Sequence, residues 1–147
     1  MKSKRLSDDR SEQIYILVLE PGEEAFAAIS KFAAENDITA ASLVAIGAFE
    51  SAVVAWFDYR DKSYRKIPVA GQSEVLSLVG DIALGDDGKP SLHAHVVLGL
   101  EDGSTKGGHF IEGRVRPTLE VTLSETPAHL RRRKRADLGL ALIDLPE

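Results

Sequence analysis

The chain has 147 residues, no cysteine and a formal net charge of −5, with 44% hydrophobic and 28% charged residues. That length makes one domain with a core of its own, and the missing thiols exclude a disulfide framework and any thiolate metal site. No apolar run approaches the ~18–20 residues that span a bilayer.

The opening MKSKRLSDDRSEQ has charge but no apolar stretch behind it. It reads as a disordered arm over residues 1–11, ahead of a single domain over 12–147 in a cytoplasmic protein with no membrane partner. Five of the 18 basic residues form one run, Arg131–Arg135, which leaves 13 basic against 23 acidic residues, or −10, on the body. Phosphate backbones need a basic surface, so no nucleic-acid residues are assigned. The run itself reads as a solvated connection or an edge ion-pair partner.

QIYILVL (13–19) is β-rich and stops at Pro21-Gly22. From Glu23 to Asn36 the apolar residues Ala25, Phe26, Ile29, Phe32 and Ala33 recur at helical spacing. Glu23 and Glu24 suit the positive end of that helix, and Asn36 its C-cap. Everything after it reads as strands: 42–49, 52–59, 63–69, 73–84, 92–100, 107–115, 118–125 and 139–146. One amphipathic helix packed on a largely antiparallel or mixed sheet of about eight strands predicts an α+β domain.

Three of the four histidines lie within SLHAHVVLGLEDGSTKGGHF (91–110). His93 and His95 are two apart and share a strand face. Glu101-Asp102-Gly103 suits a three-residue hairpin loop with left-handed glycine, which sets His95 opposite His109 with His93 diagonal to it. Three neutral imidazoles plus an open position is the pattern of a catalytic zinc site. A two-residue Asp102-Gly103 turn would instead face His109 the other way. Spacing alone leaves open a divalent metal site or polar rings on a sheet face. His129, beside the basic run, reads as solvated.

Taken together, LEPGEE, AIGAF, SEVLSLVGDI, the histidine hairpin and GLALIDL resemble the Plants and Prokaryotes Conserved domain (PPC or PCC), over about residues 12–146. In plants this domain follows an AT-hook in nuclear DNA-binding proteins, whereas in bacteria it usually stands alone. The resemblance implies an α+β subunit, a homotrimer, and a fold similar to acetolactate decarboxylase, in which an H-x-H and a later histidine hold zinc. Those ligand positions match His93, His95 and His109, with Zn2+ or another divalent transition metal as cofactor. In plant members a Gly-Arg-Phe-Glu-Ile-Leu segment contacts partner proteins. Here it is Gly71-Gln72-Ser73-Glu74-Val75-Leu76, which keeps Gly71, Glu74 and Leu76 but lacks the Arg-Phe anchor. The AT-hook core is also missing; Arg114-Val115-Arg116-Pro117 is a near miss and reads as a hairpin connection.

Glu74, in a mostly apolar strand, is the candidate catalytic carboxylate, able to act as general base beside a metal-bound water. The plainer alternative is an inter-subunit salt bridge or a hydrogen bond to backbone, and Glu120 shares the ambiguity. Two classes of function follow: a metal-dependent catalyst or binder of a small anionic ligand, or an assembly module of a DNA-associated regulator.

Overall fold

The computed structural model describes residues 1–5, 13–126 and 129–145. Along the chain run β1 (Lys2–Arg5), β2 (Gln13–Leu19), α1 (Ala25–Glu35), β3 (Ala40–Asp58), β4 (Ser63–Leu84), β5 (Pro90–Gly99), β6 (Thr105–Glu125), β7 (Arg131–Arg135) and β8 (Leu140–Asp144). Seven strands lie in one hydrogen-bonded path, β1-β2-β6-β3-β4-β7-β8, and β5 pairs off that path with both β4 and β6. All pairings are antiparallel except the single β4–β7 contact at Leu84 and Arg131.

This corrects the α+β expectation. Strands take 68% of the described residues and helix only 8%, so the domain is mostly sheet rather than one helix on about eight short strands. The error lay in reading glycine and proline as strand ends. Expected strands 42–49 and 52–59 are one strand, β3, and β4 and β6 likewise each join two. Register shifts at Ala45/Gly47 and Phe49/Ser51 absorb the interruptions as bulges. Those bulges bend the long strands while returning Ala45, Phe49 and Val54 to the buried side. Arg114-Val115-Arg116-Pro117 is also no hairpin connection: it lies inside β6, with Val115 fully buried.

Lys2–Arg5, expected within a disordered arm, pair with β2 as β1, while residues 6–11 of that arm lie outside the described residues. The helix forms where its apolar spacing predicts, burying Ala25, Ile29, Phe32 and Ala33. Its N-cap is Glu24, whose carboxylate accepts from Phe26 N (3.0 Å), Ala27 N (2.7 Å) and, across to β6, Gly113 N (3.0 Å). Beneath it Phe49 and Phe110 stack with centroids 5.7 Å apart, among Leu17, Leu19, Leu98 and Leu119. That core holds the β5–β6 hairpin rigidly against β3 and β4. No helix among the described residues is long and apolar enough to cross a membrane.

Candidate metal centre

The β5–β6 hairpin closes through the three-residue loop Glu101-Asp102-Gly103. Leu100 N donates to Ser104 O (2.9 Å), Gly103 N to Leu100 O (2.9 Å), and Gly103 sits at φ +79°. Asp102 secures the turn by accepting from Ser104 N (2.9 Å) and Ser104 Oγ (2.6 Å). This register sets His95 directly opposite His109. The three imidazoles converge, with ring centroids 5.2 Å (93–95), 5.1 Å (93–109) and 5.4 Å (95–109) apart. One nitrogen from each lies within 4.8 Å of the others.

Gly107 and Gly108 explain how β6 comes so close to its neighbours. A Cβ at Gly108 would stand 2.5 Å from the Ala55 carbonyl oxygen, and one at Gly107 2.7 Å from that of Val96. Backbone, not ligand, fills the space that the two glycines leave. Tyr64, from β4, stacks on His109 with centroids 4.5 Å apart, and it in turn meets Phe57 edge-on.

Burial is the largest influence on His109, followed by the neighbouring His93, His95 and Arg132, and together they push its pKa down to about 4. Burial and His93 lower His95 as well. Both rings are therefore neutral at pH 7, with lone pairs available. Nδ1 of His109 is buried and has no hydrogen-bond partner. A buried polar nitrogen left unpaired costs about 1–3 kcal/mol, and a bound cation is one of the few things that would satisfy it. Three convergent imidazoles with an orphaned nitrogen among them form a donor set that fits a divalent transition metal.

Asp81, on β4 opposite His93, places Oδ2 3.8 Å from His93 Nδ1. Its other oxygen takes a close ion pair from Arg132 Nη2. Arg132 is 5% exposed while its four neighbours in the run are exposed, so the run is solvated except at Arg132 and is a strand rather than a connection. The run is strand β7, with Arg133 paired to Asp144 (2.8 Å) and Arg135 to Asp137 (3.1 Å). The β7–β8 hairpin covers one side of a cavity of about 550 Å³, which the three histidines line from the other side.

Glu74 is not brought to the histidines. It is exposed on β4, opposite Gly99, five residues from Val79, the strand partner of His95. At about 3.3 Å per residue that separation is beyond hydrogen-bond reach of the triad. Glu74 instead lines two separate clefts, one with Gly71 and Asp102, the other with Ile46, Leu76 and Glu120. His129 is likewise apart, its Nδ1 2.8 Å from Thr39 Oγ1. Asp81, Arg132 and Tyr64 were not singled out from sequence. A lone aspartate in an otherwise apolar stretch, VGDIAL, was the one available sign that a cation must meet it.

The fold and the cluster together define a mostly-β domain with a three-histidine site able to hold a metal. Residues 6–127 match the Plants and Prokaryotes Conserved (PCC) domain, and the chain belongs to that family. A plant- and prokaryote-conserved (PPC) protein of Pyrococcus horikoshii is 35% identical, over 91% of this chain and 92% of that one, with a TM-score of 0.85. A metal-containing protein of Archaeoglobus fulgidus is 33% identical over 90% and 93%, with a TM-score of 0.83. A Ralstonia eutropha JMP134 protein, provisionally named as DNA-binding, is 27% identical over 90% and 91%, with a TM-score of 0.83. No curated protein matches the chain.

Proposed function

We propose that this is a homotrimeric, cytoplasmic metalloprotein in which His93, His95 and His109 hold one divalent ion, zinc in the first instance, that serves a small anionic ligand. The convergence of three imidazole nitrogens within 4.8 Å carries this reading. The metal-containing relative from Archaeoglobus fulgidus supports it. A zinc ion here would supply Lewis acidity toward a ligand oxygen. The chain's own residues orient the site: Asp81 faces His93 Nδ1, Arg132 holds Asp81, and Tyr64 packs the His109 ring in place. Asp81, rather than Glu74, is the carboxylate beside the histidines.

Assembly is supported by an uncovered apolar stripe. Val44 and Val79 pair across β3 and β4, and with Ile46, Leu76 and Val97 they are 42–62% exposed. Contiguous apolar surface of this kind marks a protein interface. Leu76 belongs to this stripe and Glu74 shares a cleft with Ile46 and Leu76, whereas Gly71 lines a separate cleft.

Elemental analysis of protein purified without a nickel column tests the metal. One zinc per chain is expected, lost in His95→Ala and retained in His129→Ala. A metal-free wild type that takes up no zinc at neutral pH refutes it. The second reading, an assembly module of a DNA-associated regulator, is favoured by the provisional name of the Ralstonia relative. The basic run gives it little support, because Arg132, Arg133 and Arg135 are already ion-paired.

A further inference from the structure

The cavity in front of the histidines has a character that metal binding alone does not require. None of its described lining residues is acidic, and Arg132 is their one permanently charged side chain, although the chain as a whole carries −5. Arg132 is buried, its Nη2 is spent on Asp81, and its Nε has no partner. Asp81 offsets the guanidinium's charge, so what Arg132 offers beside the metal position is one buried N–H donor with no partner. Guanidinium matches the planar fork of a carboxylate. The remaining wall is apolar and aromatic, formed by Phe57, Tyr64, Leu140 and Leu142, with Phe57 and Tyr64 paired on the strand face that carries His109. At about 550 Å³ the cavity is the size of a small-molecule site.

We infer that this cavity binds a small monocarboxylate with an aromatic or branched apolar body, the carboxylate going to Arg132 and the metal, the body to the Phe57–Tyr64–Leu142 wall. The inference rests on the metal reading above and names the ligand class of that site. Arg132 is then the residue that selects charge, and Phe57 the one that selects shape.

Calorimetric titration of the zinc-loaded full-length protein with phenylacetate tests it, against acetate, inorganic phosphate and benzyl alcohol. Phenylacetate is expected to bind about tenfold or more tightly than each of the others, because only it satisfies both features. Arg132→Gln, assayed with zinc in excess because Arg132 also holds Asp81, should lose about tenfold or more in phenylacetate affinity. Phe57→Ala, at a half-buried position, should weaken phenylacetate and leave acetate unchanged; it decides the matter if Arg132→Gln does not fold. Fully zinc-loaded protein that ignores phenylacetate, or that binds phosphate or acetate equally well, overturns this inference and leaves the metal reading standing. Phenylacetate binding that needs Arg132 but no zinc keeps the ligand class and overturns the metal. Protein that takes up neither overturns both.

Discussion

Lowering the pH of the metal-free protein from 7 towards about 4.5 should destabilise it, and His109 should account for much of the loss. Its pKa falls from the ordinary histidine value of 6.5 to about 4 in the folded protein, chiefly through burial, with His93, His95 and Arg132 adding to the effect. Between those two values the unfolded chain holds a proton that the native protein refuses. Stability is therefore fully present above pH 6.5 and is lost as the pH falls toward 4. At roughly 1.4 kcal/mol per pKa unit the full loss would be about 3.5 kcal/mol, and solvent at the cavity mouth reduces it to ~2–3 kcal/mol. Urea unfolding followed by circular dichroism at neutral and acid pH measures it, with His109→Gln as comparator. The variant removes the titrating group, so its stability should change less across the same window. Saturating zinc should protect the wild type until protons displace the metal. Parallel pH profiles for wild type and His109→Gln would refute the reasoning.

Three further outcomes follow from other parts of the molecule. Gly108→Ala should cost ~1–3 kcal/mol and displace His109, because its Cβ would sit 2.5 Å from the Ala55 carbonyl oxygen; thermal unfolding and zinc content read the two effects. Sedimentation at micromolar concentration should give about three times the 15.9 kDa subunit mass, and Val79→Glu, opposite Val44, should shift it toward the monomer. Duplex DNA should show no affinity with a steep salt dependence; a steep slope flattened by neutralising Arg131 and Lys134 would restore the nucleic-acid reading.

The histidine cluster was legible in the sequence because it depends on short-range structure. The Glu101–Gly103 loop, its left-handed glycine and strand periodicity set which side chains face one another, and all three histidines lie within seventeen residues. The helix was legible for the same reason: its periodicity and its Glu24 cap are local. The strands were less so. Gly47, Gly71 and Pro117 look alike whether they end a strand or sit within a bent one, and only the neighbouring strands decide. Asp81 and Arg132 lie 51 positions apart, and Tyr64 lies 45 positions before His109. A charge within a basic run reads as solvated because nothing nearby in the chain desolvates it. Only the crossing of β7 beside the end of β4 buries Arg132, gives it Asp81, and turns one surface cation into the charged wall of the histidine cavity.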